Sequence, residues 1–483
     1  MMTIQLLLAG EATAAEHEAT FTRTNPLSGE VVTTAAAASA GDAQRAADVA
    51  SQAFDVWSQT GPGERRAKLL KAAELMEARQ GDFIDRMVEE TGATVGWAGF
   101  NVKVAADVLR EAAALTTQIQ GDIIPSNVPD SMAMGVRTPC GVVVGIAPWN
   151  APIILGTRAL ATPLACGNSV ILKASEQCPA THHLIGEVLQ EAGFGDGIVN
   201  VITNAPDNAA EVVSALIAHP AVRRINFTGS TSVGKIIAEQ ASRYLKPVLL
   251  ELGGKAPLLV LEDADIEAAV DAAIFGAFFN QGQICMSTER VVVDHRIADA
   301  FVDKFAARAQ ALKAGNPRDE RNALGTLINA QSGEKLNSLL DDAVSKGARV
   351  AAGGKAEGVV MQATVVDGVT RDMRLYREES FGPIVAVMRV SGDEEAIRIA
   401  NDSEYGLSSA VFSRDSARAM NVASRLQTGI CHINAPTVHD EPQMPFGGTK
   451  SSGYGRFGGK AGIEEFTELR WLTMQLGPRH YPI

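Results

Sequence analysis

The segment Asn226-Phe227-Thr228-Gly229-Ser230-Thr231-Ser232-Val233-Gly234-Lys235 decides how this chain folds. An apolar run at 221–227 leads into its first glycine, and a helical pattern follows the glycine-containing turn. A turn between a strand and a helix gathers free backbone N–H groups at the positive end of the helix dipole. We therefore expect a parallel α/β unit with an anion-binding turn at Gly229 and Ser230.

Two other interpretations of this segment stay in view. The glycines alone are sufficient for a tight strand-to-helix turn without a ligand. The spacing from Gly229 to Lys235 also matches the phosphate-binding loop of nucleotide hydrolases, but Ile236 stands where that loop needs Ser or Thr to hold Mg²⁺. The hydrolase interpretation therefore lacks its metal ligand.

Outward from this segment, apolar runs alternate with helical patterns. Strands are expected at residues 141–147, 169–172, 197–202, 221–227 and 248–250. Such alternation predicts a parallel, doubly wound sheet. Residues 263–314 repeat helix, strand and helix, with the strand at 290–293, and further strands are expected near 359–365 and 384–389. These elements predict a second α/β unit.

The first third of the chain has a different pattern. The turn signals at 24–30 predict a hairpin arm, and residues 42–115 show consecutive amphipathic helices, the first of which ends at Trp57. Residues 123–137 lose the helical period and contain Pro125 and Pro129, so an extended bridge is expected there. A boundary near residue 120 follows.

Length and composition exclude several classes of protein. A chain of 483 residues exceeds the roughly 250–300 residues at which one core stops growing, so two or more domains are expected. The net charge of -13 argues against nucleic acid or an anionic membrane as a partner. The five scattered cysteines, the lack of a basic leader before the short apolar run at 4–9, and the absence of an 18-residue apolar run favour a cytoplasmic protein without membrane spans.

Charged side chains follow the strand expected at 169–172. Lys173 and Glu176 would lie at the carboxyl edge of the sheet, where open α/β folds bind ligands. A carboxylate there accepts both hydroxyls of an adenosine ribose and repels a 2′-phosphate, so Glu176 favours NAD over NADP. A solvated Lys–Glu pair on a loop is the alternative.

Three residues carry the signals for catalysis. Cys285 follows a polar, glycine-containing turn that would expose its thiol as a nucleophile, although an isolated cysteine is more often a small buried hydrophobe. Glu251 ends an apolar strand, where desolvation should raise its pKa and suit it to act as a general base; a structural ion pair is the alternative. Asn150 lies between a strand and the expected start of a helix, a position typical of a capping residue.

Together these segments closely resemble the aldehyde dehydrogenase superfamily, in the same order and over nearly the whole chain. The resemblance rests on Asn25-Pro26, Gly29-Glu30, Pro148-Trp149-Asn150, residues 173–176, 227–234, 251–255, 282–285 and 379–383, Asn434, Pro445-Phe446-Gly447-Gly448, Lys450, Ser452 and Gly453.

The resemblance implies a mechanism. The Cys285 thiolate would attack the aldehyde, with the oxyanion held by the Asn150 amide and the backbone N–H of Cys285. After hydride transfer to nicotinamide, water activated by Glu251 would hydrolyse the thioester to the acid. The presence of Glu251 argues against a relative that passes the thioester to coenzyme A, and the presence of both Cys285 and Glu251 argues against a catalytically silent relative.

The resemblance also implies the cofactor site and the architecture. Glu379 and Phe381 would hold the nicotinamide ribose, Trp149 and Ser230 would line the adenine and pyrophosphate path, and Lys173 and Glu176 would bind the adenosine ribose of NAD. The remaining expected cofactor residues are Ile146, Pro148, Ser175, Gly229 and Leu252. A Rossmann-like NAD-binding domain is expected at 1–120 and 139–252, a catalytic α/β domain at 253–451, and a small β oligomerisation arm at 121–138 and 467–483. A homodimer or a dimer of dimers is the implied assembly.

Residues 434–445 and 453–458 resemble the aromatic-aldehyde branch, which includes vanillin, benzaldehyde and salicylaldehyde dehydrogenases. Salicylaldehyde is the first substrate expected, and vanillin, benzaldehyde or a broad range of aldehydes are the alternatives. Many relatives carry bulky aromatic residues where this chain has Arg158 and Ala151. We hypothesise that Arg158 faces the substrate tunnel and holds a ring hydroxyl or phenolate; a surface Arg in a helix ion pair is the alternative.

Other side chains complete this view of the substrate tunnel. Trp97, Phe100 and Phe279 are its expected aromatic walls, and His439 is expected at its mouth. No metal site is expected, because His182 and His183 are adjacent and lack suitably spaced partners.

Overall fold

The computed structural model describes residues 1–483, and its first 115 residues form a small three-stranded β arm, two edge strands of the first large sheet (Leu6–Leu8 and Glu11–Thr13) and a layer of helices. The elements are β1 (Met2–Ile4), β2 (Leu6–Leu8), β3 (Glu11–Thr13), β4 (Thr20–Thr24), β5 (Val31–Ala36), α1 (Ala40–Trp57), α2 (Pro62–Ala78), α3 (Gln80–Thr91) and α4 (Val95–Leu115). β4 and β5 pair antiparallel, which confirms the hairpin, and α1 ends at Trp57 as predicted. Ser39 and Asp42 form a capping box that fixes the start of α1.

The next part of the chain builds the first large sheet. Its elements are β6 (Asp122–Ile124), β7 (Ser131–Pro139), β8 (Val142–Ile146), α5 (Pro152–Ala165), β9 (Ser169–Lys173), α6 (Pro179–Glu191), β10 (Val199–Ile202), α7 (Ala209–Ala218), β11 (Val222–Thr228), α8 (Thr231–Ser242) and β12 (Val248–Glu251). The five expected strands are confirmed. They run parallel in the order β12-β11-β8-β9-β10, and helices on both faces explain why the strands are almost continuously apolar.

A second sheet follows in the chain. Its region contains β13 (Ala256–Val260), α9 (Ile266–Phe278), β14 (Thr288–Asp294), α10 (Ala298–Ala311), α11 (Ala330–Ser345), β15 (Arg349–Ala352), β16 (Thr364–Asp367), α12 (Arg374–Arg377), β17 (Ile384–Val390), α13 (Gly392–Asn401), β18 (Tyr405–Gly406), β19 (Ser408–Phe412), α14 (Ser416–Ala423) and β20 (Ile430–Ile433). The sheet order is β15-β16-β17-β14-β13-β19-β20.

One strand boundary in this region was predicted wrongly. The strand expected at 359–365 begins only at Thr364. Glu357 and Val360 exchange two backbone hydrogen bonds of 2.8 and 3.1 Å, so this tight turn uses the backbone groups that a longer strand would need. The apolar side chains of this turn resemble those of a strand, which is why the predicted strand began too early.

The last elements return to earlier parts of the fold. They are β21 (Thr449–Lys450), β22 (Gly453–Tyr454), α15 (Gly459–Glu465) and β23 (Thr467–Gln475). β22 joins the first sheet beside β12, and β23 pairs along the full length of β7, whose other edge pairs with β6. The mixed α/β class is confirmed, whereas the division into domains at 1–120 with 139–252, 253–451, and 121–138 with 467–483 stays a prediction. No helix is both long enough and apolar enough to cross a membrane.

The strand register brings the chemistry to one edge. Ile146 lies opposite Lys173 and Phe227, and Thr228 lies opposite Glu251. The carboxyl ends of these parallel strands therefore align, and the segments that follow them share one side of the sheet.

Candidate active site

The turn before Cys285 has an unusual backbone. Asn280 and Gln281 both adopt left-handed conformations, with φ of 48° and 54°. Such backbone is costly for residues with side chains and persists where surrounding contacts impose it. Here the Asn280 side chain donates to the Asn150 carbonyl at 3.0 Å, and the Gln281 side chain donates to the Thr326 carbonyl at 3.0 Å. These hydrogen bonds hold the turn in the shape that presents Cys285.

Two glycines after Glu251 allow the sheet edge to approach this turn closely. A Cβ at Gly254 would collide with the carbonyl oxygen of Cys285. A Cβ at Gly253 would stand 2.7 Å from Oε2 of Glu379. A side chain at position 254 would therefore displace the backbone of the nucleophile turn, whereas one at position 253 would require the flexible Glu379 side chain to shift.

Cys285 lines two cavities that meet at its side chain. The residue is partly exposed, and it lines both cavities. The thiol that the sequence predicted to be exposed is therefore accessible from these cavities. Burial raises the pKa of the Cys285 thiol, and the nearby carboxyls of Glu251, Glu379 and Asp440 raise it further. The other four cysteines line neither cavity.

Two N–H groups next to the thiol are suited to an oxyanion. The Asn150 side-chain amide donates to the carbonyl oxygen of Gln283 at 3.0 Å, which uses one of its two protons. The backbone N–H of Cys285 donates to no protein atom. Both residues line both cavities, so two free donors face the space where a substrate carbonyl would lie.

Glu251 ends β12 and is 2% exposed. Neither carboxylate oxygen has a hydrogen-bond partner, so the ion pair considered from the sequence does not form. Burial raises the pKa of Glu251 to about 8, and the charges of Arg158 and Arg456 offset this only in part. Glu251 lines neither cavity, but it lies close enough to raise the pKa of Cys285. A carboxyl in this state is suited to take a proton from water.

The first cavity, of about 200 Å³, contains seven of the expected cofactor residues. It is lined by Pro148, Trp149, Asn150, Leu155, Thr228, Gly229, Ser230, Leu252, Gly253, Cys285, Glu379 and Phe381. Leu155, Thr228 and Gly253 were not foreseen. The cavity passes the N-terminus of α8, where Ser230 caps the helix through the Val233 N–H. An aromatic wall, free helix-end donors and a carboxylate suit a dinucleotide.

Four expected cofactor residues lie outside this cavity: Ile146, Lys173, Ser175 and Glu176. Ile146 ends β8, just before the cavity residue Pro148, whereas the other three residues end or follow the neighbouring strand β9 at the same sheet edge. Lys173 is 6% exposed and its Nζ lies 3.2 Å from Oε2 of Glu176. The pair is therefore not fully solvated, because its cation is buried.

A buried ion pair that the sequence did not reveal holds the loop of Glu379 and Phe381. Glu289 accepts the backbone N–H groups of Ser380 and Phe381 at 2.8–3.0 Å and pairs with Lys255 at 2.5 Å. Phe381 has φ of 56°, so this clamp holds a strained residue in place. Phe381 packs edge-on against Trp149, with ring centroids 5.7 Å apart.

The second cavity, of about 300 Å³, reaches Cys285 from the other side and is largely apolar. It is lined by Trp97, Phe100, Asn150, Ala151, Ile154, Leu155, Arg158, Phe275, Phe279, Ile284, Cys285, Met286, Pro436, Val438, His439, Asp440 and Phe446. The expected walls Trp97, Phe100 and Phe279 form one aromatic cluster, with ring centroids 4.8–5.9 Å apart. Phe275, Phe446 and Asp440 were not foreseen.

Arg158 lies in the wall of this second cavity and is 6% exposed. The surface ion pair considered from the sequence is therefore wrong. Its Nη2 instead lies 2.7 and 2.6 Å from the two carboxylate oxygens of Asp440, and Phe446 packs on its guanidinium at 4.8 Å. His439 also lines the cavity, is exposed, and contacts Glu441 at 2.8 Å. No group of three or more His, Cys, Asp or Glu side chains is placed to hold a metal ion.

A sequence model described as "Aldehyde dehydrogenase family" matches residues 13–472. The chain belongs to the aldehyde dehydrogenase family. It is similar to vanillin dehydrogenase of Pseudomonas fluorescens, with 61% identity over 483 residues that cover 100% of both chains. It is 52% identical to salicylaldehyde dehydrogenase of Pseudomonas putida over 464 residues, 96% of each chain.

Solved structures agree with this assignment. The crystal structure of a salicylaldehyde dehydrogenase from Pseudomonas putida G7 complexed with salicylaldehyde superposes with a TM-score of 0.98, at 51% identity and 100% coverage of both chains. The resemblance stated from the sequence is confirmed, as are the aldehyde dehydrogenase fold and the enzyme class. The cofactor is a nicotinamide dinucleotide.

Proposed function

We propose that this aldehyde dehydrogenase oxidises an aromatic aldehyde bearing a ring oxygen to the carboxylic acid, with NAD as the oxidant. The observation that carries the proposal is the second cavity, whose aromatic cluster and buried Arg158 lie on the side of Cys285 opposite the cofactor cavity. Flat aromatic walls suit a flat ring, and a guanidinium suits an oxygen substituent.

The names of the relatives support the same substrate class, and their sequence identities to this chain suggest an order in which to test the candidate substrates. The vanillin dehydrogenase shares more identity with this chain, over its whole length, than the salicylaldehyde dehydrogenase does. Vanillin is therefore the first substrate to test, and salicylaldehyde, which the sequence suggested first, is the second. Comparison with benzaldehyde, which has no ring oxygen, measures how much the ring oxygen contributes to kcat/KM.

The chain's residues divide the chemistry among them. Cys285 loses its thiol proton to water, and the thiolate Sγ attacks the aldehyde carbon; the resulting oxyanion is stabilised by the Asn150 amide and the Cys285 N–H. Bound nicotinamide supplies the acceptor for the hydride that this carbon then loses. Glu251 takes a proton from water, the hydroxide attacks the thioester carbon, and the C–S bond breaks to release the acid and the thiol.

NAD, rather than NADP, is proposed from Glu176. Its carboxylate follows β9 and pairs with the buried Lys173, and this pair is proposed to recognise the substituent at the ribose 2′ position. A 2′-phosphate would meet this negative charge, whereas the two hydroxyls of NAD would donate to it. Glu379 and Phe381 are proposed to hold the nicotinamide ribose.

A homodimer, or a dimer of such dimers, is proposed from the three-stranded arm of β6, β7 and β23. The outer edges of β6 and β23 pair with no other strand of the chain. Its exposed apolar side chains include Ile123, Leu469, Trp471 and Met474. An apolar sheet with open edges favours coverage by a second copy. Light scattering should give a dimer or tetramer, and Trp471→Asp should shift it toward the monomer. The five free cysteines are consistent with the proposed reducing, cytoplasmic location.

The substrate proposal is tested by supplying NAD with vanillin, salicylaldehyde, benzaldehyde and a long aliphatic aldehyde while NADH absorbance is followed. We expect the aromatic aldehydes with a ring oxygen to give the highest kcat/KM. Equal kcat/KM across the panel would defeat the proposal. Parallel assays with NADP test the cofactor assignment in the same preparation.

A further inference from the structure

The ion pair between Arg158 and Asp440 lies inside the proposed substrate cavity, away from bulk solvent. The two side chains are 7% and 12% exposed, and one nitrogen, Nη2, contacts both carboxylate oxygens. Arg158 comes from α5 and Asp440 from the loop after β20, 282 residues further along the chain. The pair therefore joins two separate walls of the cavity.

The other terminal nitrogen of this guanidinium has no partner. Nη1 of Arg158 is buried and donates to no protein atom. A buried donor without an acceptor costs free energy, so such groups are usually matched by a ligand or by water. The cavity around it is mostly apolar, with Phe446 packed on the guanidinium face. A ring oxygen of the substrate would give Nη1 the acceptor that it lacks, once a small rotation of the guanidinium turns this nitrogen toward the cavity.

Asp440 determines which kind of ring oxygen, charged or uncharged, can bind beside Arg158. Its carboxylate already balances the positive charge of Arg158. A hydroxyl or methoxy oxygen can accept from Nη1 without meeting like charge. A carboxylate on the ring would approach the Asp440 carboxylate in a site of low dielectric, where like charges repel strongly.

The loop that presents Asp440 is fixed to the nucleophile segment. Thr437 Oγ1 donates to the Met286 carbonyl at 2.7 Å and lies 2.8 Å from Thr288 Oγ1. Met286 follows Cys285 directly. Asp440 is therefore held at a set position relative to the thiol, as a residue that selects substrates must be.

From this arrangement we propose that Asp440 is a specificity-determining residue, which makes the substrate cavity accept uncharged ring oxygens and reject anionic ring substituents. This inference rests on the proposed function. It identifies the accepted class as hydroxylated and methoxylated aromatic aldehydes and excludes carboxylated ones.

The test compares Asp440→Asn with wild type on meta- and para-methoxybenzaldehyde and on the matching carboxybenzaldehydes. Removing the carboxylate leaves Arg158 with unbalanced positive charge, so the ratio of kcat/KM for carboxylated over methoxylated substrate should rise about tenfold or more. Glu441→Gln is the matched control, because it removes one negative charge from the adjacent residue, which does not line the cavity. The ratio should stay unchanged in Glu441→Gln. An unchanged ratio in Asp440→Asn, or an equal change in both variants, would overturn the inference.

Two further measurements make the result independent of folding. In wild type, methoxyacetophenone should inhibit more strongly than acetophenone, and carboxyacetophenone more weakly; equal inhibition by the two substituted ketones would also overturn the inference. In the double variant Arg158→Gln/Asp440→Asn this ratio should be lower than in Asp440→Asn alone, because the unbalanced positive charge is no longer present; a ratio as high as in Asp440→Asn would overturn the inference. If wild type oxidised only aliphatic aldehydes, the proposed function itself would fail, which is a separate outcome from an unaltered ratio.

Discussion

The side-chain amide of Asn150 donates to the carbonyl oxygen of Gln283 at 3.0 Å. That hydrogen bond fixes the orientation of the amide and leaves its second N–H free in the cavities that Cys285 lines. The donor is thus positioned before any substrate arrives, which is the condition under which such a group stabilises a developing charge most effectively.

Asn150→Ala should lower kcat about a hundredfold to a thousandfold, because one of the two oxyanion donors is lost. Alkylation of the Cys285 thiol by iodoacetamide should continue, since the nucleophile stays in place. Steady-state kinetics with vanillin and NAD measure the loss. A decrease of less than threefold would remove Asn150 from the oxyanion site.

The elevated pKa of Glu251 predicts a stability difference between wild type and Glu251→Gln that depends on pH. The pKa is about 8 in the folded protein against an ordinary value of 4.5, so the folded state binds this proton more tightly than the unfolded chain does. The resulting contribution is fully present below pH 4.5 and is lost as pH rises through 8. Gln carries no charge at any pH.

As the pH is raised from 5 to 9, the Tm of wild type should therefore fall relative to the Tm of Glu251→Gln. The corresponding change in the free energy of unfolding is about a few kcal/mol. Thermal denaturation across that range measures the difference. A Tm difference that does not vary with pH would show that Glu251 is not a buried carboxyl with a raised pKa.

Arg158→Gln should reduce the preference for salicylaldehyde over benzaldehyde about tenfold, because the variant loses the charged donor to the ring oxygen. The ratio of kcat/KM for the two aldehydes is the measurement. Benzaldehyde is the internal control, since it has no ring oxygen to recognise. An unchanged preference would remove Arg158 from substrate recognition.

Glu176→Ser should increase the use of NADP. The carboxylate that repels a 2′-phosphate is removed, and Lys173, which pairs with it at 3.2 Å, becomes free to bind the phosphate. We expect kcat/KM with NADP to rise about tenfold relative to that with NAD. If the NADP to NAD ratio stays at its wild-type value, Glu176 does not select the cofactor.

The sequence predicted the parts of this enzyme that depend on local pattern. The strands that became β8 to β12 were readable because parallel strands covered on both faces are apolar throughout. The end of α1 at Trp57 followed from helical periodicity. The same reasoning failed at residues 359–365, where valines lie in a tight turn and imitate a strand.

Contacts between distant segments were beyond the reach of the sequence. The sequence suggested Arg158 as a substrate residue but gave no sign of Asp440, because no spacing rule connects residues 282 positions apart. Glu289 was missed for the same reason: its role as an acceptor for Ser380 and Phe381 exists only once two strands and a loop have come together. A solvated loop position was the alternative considered for Lys173, and folding instead buries this residue.

The central claim is that Cys285 forms a thioester which Glu251 causes to be hydrolysed. In the most direct test, Glu251→Gln is mixed with NAD and vanillin, NADH absorbance is followed, and the mass of the intact protein is measured by mass spectrometry. We predict a burst of about one NADH per active site, after which NADH production stops. The protein mass should increase by that of one vanilloyl group. This mass increase should be absent in Glu251→Gln/Cys285→Ala and present in the control Glu251→Gln/Cys431→Ala. Steady NADH production by Glu251→Gln at the wild-type rate, or an adduct that survives the loss of Cys285, would contradict this account.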